Sequence, residues 1–339
     1  MKPVLITVTV PVKNEEKHLR KCLDALLYQD YPNYEIICSY NRSDDASLEI
    51  LEEYASKGLI RLYRDDDGNN VTSRNKLFRE SHGDIILLFH ARSIAEKQFL
   101  STLAKKLDEN PDAAGVCANI HYPQDAHPIS KAVCVTMHSW LGGHGTSYRR
   151  VRNDEAVDCP LLTAYRREVL EKTGFFDPYY NVGDDADYNE RARRQGFHFM
   201  KTPETRHYQY MRDSLPKFAK RIFVYGMERA KVFTHHGSSP KIYLAPSLAL
   251  LFFTATLILA LARPNYMPFV QLELAAYAII VLSFSIKEAL ENDLSLLPLL
   301  PVMYAVEHFF YAVGMLAGLI AYAPGRRHAH GTRPTTQQT

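Results

Sequence analysis

Val4-Leu5-Ile6-Thr7-Val8-Thr9-Val10-Pro11-Val12-Lys13-Asn14-Glu15-Glu16 is the stretch on which the fold turns. Its opening, Val4 to Val10, alternates β-branched residues and reads as a strand. Pro11 to Glu16 closes that strand and opens a helix. From Glu15 to Tyr28 the apolar residues Leu19, Cys22, Leu23, Leu26 and Leu27 form a helical stripe. The same change of period repeats outward. Tyr34 to Cys38 reads as a strand, Ala46 to Ala55 as a helix and Leu59 to Tyr63 as a short strand. Ser73 to Glu80 reads as a helix and Asp84 to Phe89 as a continuously buried strand. Strands alternating with helices predict an α/β fold: a mixed, mostly parallel sheet with helices on both faces. Ligands of such sheets sit at the carboxyl ends of the strands, so chemistry is expected just after Val10, Cys38, Tyr63 and Phe89.

Further along, Ala114 to Ala118 is expected to be a strand, and Tyr148 to Thr163 a β-hairpin with Arg149, Arg150 and Arg152 on its first arm. Arg167 to Thr173 and Asp187 to Gln195 read as short helices. Pro216 to Phe233 is an amphipathic helix with Lys217, Lys220, Arg221, Arg229 and Lys231 among its apolar residues. Such a helix suits a membrane interface, where cations meet anionic headgroups. Three apolar stretches follow: Ile242–Ala262, Val270–Ile286 and Leu296–Tyr322. The first is nearly charge-free and long enough to span. The last holds Glu307, His308 and the Gly314-x-x-x-Gly318 spacing that lets helices approach closely. Three spans with a cytoplasmic first domain put Arg326, Arg327 and Arg333 outside, which the positive-inside rule disfavours. The expected organisation is a catalytic domain over residues 1–212 and an interfacial helix over 213–240. About three transmembrane helices over 241–324 and a flexible tail over 325–339 complete it.

The 339 residues hold 40 Lys+Arg against 38 Asp+Glu, so bulk charge does not recruit nucleic acid. Cys22, Cys38, Cys117, Cys134 and Cys159 show no CxxC spacing, which argues against a zinc site and fits reduced thiols in a cytosolic domain. Met1-Lys2-Pro3 precedes a short β-rich run and reads as no signal peptide. Nothing in the sequence specifies an oligomeric state.

Pro11, Lys13, Asn14 and Glu15 stand where a strand-to-helix loop holds a nucleotide base through backbone groups and a short polar side chain. They are followed in order by Gln29-Asp30-Tyr31-Pro32-Asn33-Tyr34-Glu35-Ile36-Ile37, Ser43-Asp44-Asp45-Ala46-Ser47, Asn70-Val71-Thr72-Ser73-Arg74-Asn75 and Gly83-Asp84-Ile85-Ile86. Later come Tyr165-Arg166-Arg167-Glu168-Val169, Gly183-Asp184-Asp185-Ala186-Asp187, and Arg212-Asp213-Ser214-Leu215 ahead of Val224-Tyr225-Gly226. From about Val4 to Phe233 this order and spacing resemble glycosyltransferase family 2, with its GT-A fold, in particular the membrane-bound members making exopolysaccharides or lipid-linked glycans.

The resemblance implies an inverting transfer from a nucleotide-sugar donor. Asp185 matches the catalytic aspartate and Asp184 stands for the usual glutamate; a carboxylate within reach of the acceptor hydroxyl serves as base. Asp187 is expected to orient its neighbours. The plain alternative is an acidic turn at the positive end of a helix. The donor set adds Asn41, Arg74 and Arg92, and the acceptor or phosphate contacts are Arg166, Arg221 and Tyr225, with Arg229 nearby. His207 and Gln209 fall where a late metal or phosphate ligand is often found.

Two departures stand out. Tyr40-Asn41-Arg42-Ser43 replaces the family's Asp-Asp-Gly-Ser, and His90-Ala91-Arg92 replaces its metal-binding DxD. Carboxylates would supply hard oxygen ligands to a divalent cation. His90 as metal ligand suits Mn2+ better than Mg2+, while Arg92 clamps a diphosphate directly. Metal-assisted and metal-free transfer both stay open, and Asp65-Asp66-Asp67 is a further potential ligand source. The expected partners are a nucleotide-sugar, a lipid-linked acceptor such as dolichyl or polyprenyl phosphate or its glycan, and the membrane. By analogy the sugar is mannose from GDP-mannose. The alternatives are a polysaccharide synthase using a UDP-sugar and a non-catalytic scaffold.

Overall fold

The computed structural model describes residues 3–65, 70–143, 149–158, 160–180, 182–236 and 241–323. Asp66, Asp67, Cys159 and the tail over 325–339, with Arg326, Arg327 and Arg333, lie outside them. Strands β1 (Ile6–Val12), β2 (Tyr34–Tyr40), β3 (Arg61–Arg64) and β4 (Ile85–Leu88) form the first half of a sheet, in the order β3-β2-β1-β4 and all parallel. Helices α1 (Glu16–Leu27), α2 (Ser47–Ser56) and α3 (Asn70–Glu80) connect them. The first strand starts two residues later than the alternation suggests, because pairing with β2 runs from Ile6↔Tyr34 to Val12↔Tyr40. Both of its faces are covered: Val8 and Val10 on one, Thr7 and Thr9 on the other, all inaccessible. The α1 stripe of Leu19, Cys22, Leu23 and Leu26 is buried, each leucine contributing roughly 1.5–3 kcal/mol.

The second half mixes directions. It contains β5 (Ser93–Ala95), β6 (Ala113–His121), β7 (Glu155–Val157), β8 (Ala164–Arg166) and β9 (His198–Gln209), with α4 (Phe99–Glu109), α5 (Pro128–Met137), α6 (Arg167–Thr173) and α7 (Asp184–Arg194). β8 lies antiparallel between β4 and β6; β9 runs parallel to β6 and antiparallel to β5 and β7. Among the described residues of the expected hairpin over Tyr148 to Thr163, no two strands pair with each other. Glu155–Val157 instead adds to the free side of β9, and the chain re-enters the sheet at β8. α7 begins at Asp184 because Gly183, at φ 83°, makes the left-handed turn into the helix.

α8 (Leu215–His236) follows β9, and α9 (Ala245–Ala262), α10 (Met267–Glu291) and α11 (Leu300–Ala321) come after it. Three segments, Lys241–Ala262, Pro264–Glu291 and Leu300–Ala321, are long and apolar enough to cross a membrane. α8 is not a free amphipathic helix on a surface. It is wedged between the sheet domain and α11, sharing a core of Phe218, Ile222, Tyr304, Tyr311 and Met315. The small residues make this approach possible: a Cβ at Gly226 would collide with the Tyr311 carbonyl, one at Gly314 with the Phe223 carbonyl, and one at Gly318 would lie 2.7 Å from the Met227 carbonyl. The basic residues of α8 therefore divide. Lys217 and Lys220 face solvent. Arg221 and Arg229 line an internal cavity. Lys231 is buried and donates to the Tyr179 carbonyl at 2.6 Å.

Candidate active site

A cavity of about 570 Å³ opens at the carboxyl ends of β1 and β4. On one wall stand Pro11, Lys13, Asn14 and Glu15; on another, Gly183, Asp184 and Asp185. Arg74, Arg92, Arg212, Arg221 and Arg229 line it with Tyr225, and it continues past Tyr243 and Tyr311 to Glu307 on α11.

The strand-to-helix loop is held in shape by the neighbouring β2–α2 loop. Asn14 adopts a left-handed φ of 54°; its amide donates to Ser43 Oγ at 3.0 Å, and its Oδ1 accepts from the Asp44 amide at 2.9 Å. The Glu15 amide donates to Ser47 Oγ at 2.9 Å and the Glu16 amide to Asp45 Oδ2 at 3.1 Å. Asn41 sits beneath this loop, buried, its amide donating to the Val12 carbonyl. It supports the loop and does not line the cavity.

Two ion pairs cross the cavity. Arg74 on α3 binds Asp184 at the start of α7, and Arg92 binds Glu15, with Nε 3.1 Å from Oε1. Burial pushes the Glu15 carboxyl up, against the pull of Arg92. Asp185 lies at the N-terminus of α7 with the amide of Ala186 on its own Oδ1 at 2.8 Å. Burial pushes its pKa above the usual carboxylate range, repulsion from Asp184 adds to this, and Arg74 and Arg229 oppose it. A partly desolvated carboxylate held among cations is suited to accept a proton. Asp187 points elsewhere. It accepts from His236 Nε2 at 2.7 Å and from Arg191 Nε at 2.9 Å. Burial raises its pKa, but these two partners outweigh that and leave it lowered. Asp187 thus ties α7 to the end of α8.

His90 lines the cavity, but its Nδ1 accepts from the Gln209 side-chain amide at 3.0 Å. Burial, with Arg74 and Arg92 facing it, drives the imidazole pKa well below its usual value. Among the described residues no three His, Cys, Asp or Glu side chains converge where a metal ion would sit. The charged side chains that act on His90 are the guanidinium groups of Arg74, Arg92 and Arg221. His207 is a core residue, fully buried with edge contacts to Phe89 and Phe99 at 5.8 and 5.6 Å.

Arg166 is not at this site. It lies beside Ile85, at the opposite end of β4. Its guanidinium donates to the carbonyls of Ala113 at 2.9 Å, Leu107 at 2.5 Å and Asn110 at 3.3 Å, closing the α4–β6 turn. An antiparallel strand reverses which end of a motif meets the ligand, and that reversal is invisible in the sequence. Conversely, the sequence did not reveal Tyr243 or the Gly142-Gly143 turn after α5, which complete the wall. Arg229 stacks over the Tyr243 ring at 4.2 Å and Arg221 over Tyr225 at 4.4 Å.

Residues 7–174 match the model of the family described as Glycosyl transferase family 2. A dolichyl N-acetyl-alpha-D-glucosaminyl phosphate 3-beta-D-2,3-diacetamido-2,3-dideoxy-beta-D-glucuronosyltransferase of Methanococcus voltae is 24% identical over 325 residues, 93% of this chain and 97% of that protein. Glycosyltransferase AglE of Haloferax volcanii is 23% identical over 197 residues, 57% of this chain and 62% of its own length. Mannosyltransferase PcManGT of Pyrobaculum calidifontis, solved in complex with GDP-Man and Mn2+, aligns at a TM-score of 0.57 and 20% identity, covering 92% of this chain and 86% of that one. That likeness shows a shared fold.

Proposed function

We propose an inverting transfer of a sugar from a nucleotide-sugar to a lipid-linked acceptor, made by a chain that is a glycosyltransferase with the GT-A fold and carries its family 2 domain over residues 7–174. The observation that supports this reading is the continuity of one cavity. It holds the β1–α1 loop, Asp185 and five arginines, and runs on to α8, α11 and Tyr243 just ahead of α9. A water-soluble donor enters from the sheet side, and an acceptor anchored in a bilayer reaches the same space from the helices.

In the proposed reaction the β1–α1 loop holds the base of the donor, while Arg74, Arg92 and Arg221 meet its diphosphate. Asp185 takes the proton from an acceptor hydroxyl as that oxygen bonds to the anomeric carbon; the bond from that carbon to the diphosphate breaks on the opposite face. The nucleoside diphosphate leaves with the bonding pair, its charge matched by guanidinium groups in a partly dry site. A base at Asp185 serves an acceptor that carries a proton. It therefore favours a glycan hydroxyl on a lipid over a bare lipid phosphate, in keeping with the lipid-borne sugar in the name of the M. voltae relative.

The specific donor proposed is GDP-mannose, which is also named with the solved neighbour. The acceptor is a dolichyl- or polyprenyl-phosphate-linked glycan, and the catalytic domain faces the cytoplasm. A divalent cation, Mn2+ before Mg2+, would be held chiefly by the donor's own phosphates beside His90, and would supply charge neutralisation for the leaving diphosphate. The test is a screen of nucleotide-sugars for thermal stabilisation, with and without Mn2+ and Mg2+, followed by transfer to dolichyl phosphate and to its glycosylated form. Ligand binding raises apparent stability by mass action. Binding without transfer to any lipid-linked acceptor would favour the scaffold reading; stabilisation by UDP-sugars alone would replace the donor.

A further inference from the structure

We infer that α9 and α10 cross the bilayer as a two-helix hairpin and that α11 does not cross, so the C-terminus lies on the same side as the sheet domain. The inference rests on the membrane part of the function proposed above and goes beyond it.

At 1.5 Å per residue, the 18 residues of α9 extend about 27 Å and the 25 of α10 about 38 Å, against a hydrocarbon core of about 30 Å. The outer ends of the pair are both tied to the rest of the chain. Just ahead of α9, Tyr243 is buried under Arg229, and within its first turn Ser247 Oγ donates to the Ala312 carbonyl at 3.3 Å. At the end of α10, Arg150 donates to Asn292 Oδ1 at 2.5 Å and Arg152 to Glu291 Oε1 at 3.2 Å. Both arginines belong to the segment that leads into β7. The turn joining the helices, Arg263 to Asn265, is exposed at the far end. Ionisable groups cluster at the two ends: Lys241, Lys287, Glu288 and Glu291 near the domain; Arg263 and Glu273 near the turn. Between them, Leu248, Phe252, Ile258, Leu272, Ile279 and Leu282 are exposed, as lipid-facing residues are.

α11 is built differently. In its most apolar 18-residue window 44% of residues are buried, against 11% for the segment holding α9 and 17% for that holding α10. It touches the sheet domain or α8 along its length, and at His308 it also meets α10, where the Tyr277 hydroxyl lies 3.0 Å from Nδ1. Tyr304 donates to Ser139 Oγ at 2.9 Å, Glu307 lines the cavity, Gly314 and Gly318 meet Phe223 and Met227, and the Tyr322 ring lies 5.6 Å from Lys231 Nζ. Its exposed and half-buried apolar residues Val302, Ala305, Val306, Phe309, Val313, Leu316 and Ile320 share the face turned away from α8. A helix packed lengthwise on α8, whose other side presents Arg221 and Arg229 to a polar cavity, cannot be surrounded by lipid over 30 Å. It lies along the domain at the membrane surface. An even number of crossings also places Arg326, Arg327 and Arg333 with the catalytic domain, where the positive-inside rule wants them.

The test uses the full chain in sealed membrane vesicles whose N-terminal tag is exposed to added protease. Specific cleavage sites are placed after Asn265 or after Thr339. The expected result is cleavage after Thr339, and protection after Asn265 until detergent is added, with donor-induced thermal stabilisation retained in both variants. Protection after Thr339 would mean an odd number of crossings and would overturn the inference. Cleavage after Asn265 in sealed vesicles, with stabilisation retained, would mean that the hairpin does not cross and would overturn it equally. Release of the unmodified chain by alkaline carbonate would overturn both this topology and the membrane part of the function; donor-dependent transfer by the released chain would leave the glycosyltransferase reading intact.

Discussion

Arg74 on α3 and Asp184 in the first turn of α7 form a largely buried ion pair, their side chains 15% and 6% exposed. It joins two elements 110 residues apart and sets the electrostatics of the adjacent Asp185. Asp184 raises the Asp185 pKa and Arg74 lowers it. The pair brings a potential phosphate ligand and the proposed base into one cavity, with a carboxylate holding the guanidinium that a diphosphate would claim.

Asp185→Asn is expected to lower kcat by about 10²- to 10⁴-fold, the usual contribution of a positioned base. Donor-induced thermal stabilisation should remain. Turnover like that of the unmodified chain would remove Asp185 from the base role.

The ionised form of Asp185 is the active one, so kcat/KM should fall as pH drops through its raised pKa. Asp184→Asn removes a neighbouring negative charge and should move this acid limb to lower pH. Arg74→Gln removes an opposing positive charge and should move it to higher pH. A pH–rate profile of the three proteins checks the sign; shifts in one common direction would contradict the assignment.

Arg92→Gln is expected to weaken nucleotide-sugar binding by roughly 1.5–3 kcal/mol, or about ten- to a hundredfold, the range for hydrogen bonds to charged groups. Titration calorimetry in EDTA, and again with Mn2+, measures it. Donor affinity that vanishes in EDTA and ignores Arg92 would transfer the phosphate-binding role to a metal.

Arg166→Ala should cost about 1–3 kcal/mol of stability through the carbonyls it leaves unpaired. Its kcat/KM per folded molecule should stay unchanged. A raised KM at unchanged stability would return Arg166 to the acceptor site.

Gly226→Leu or Gly314→Leu should push α8 and α11 apart, because a Cβ at either position meets backbone of the other helix. The stability cost is about 1–3 kcal/mol or more. Activity should fall further than stability, since Arg221 and Arg229 ride on α8. Unfolding curves and single-turnover rates together separate the two effects.

Much of this protein is readable in its residues. The shift from strand to helical period across Pro11–Glu16 and its repetition predict a parallel α/β sheet, since local alternation and helical stripes report which faces are buried. The order of motifs points to Asp184 and Asp185 through its resemblance to a known family, while the β1–α1 loop is expected to meet a ligand because ligands of such a sheet sit at the carboxyl ends of its strands. The runs of apolar residues over α9, α10 and α11 likewise mark lengths fit for a bilayer. Tertiary structure alone decided the rest. Arg166 went to the far end of the sheet because β8 runs antiparallel. The basic stripe of α8 was divided between solvent and cavity because Gly226, Gly314 and Gly318 draw α11 against it. The substitution His90-Ala91-Arg92 gained its meaning only from Gln209 and Arg74, 119 and 16 residues away from His90 in the chain, which surround its imidazole. Periodicity encodes burial over a few turns, whereas the direction of a strand, the partner of a helix and the charge around a side chain are set by segments that meet only when the chain is folded.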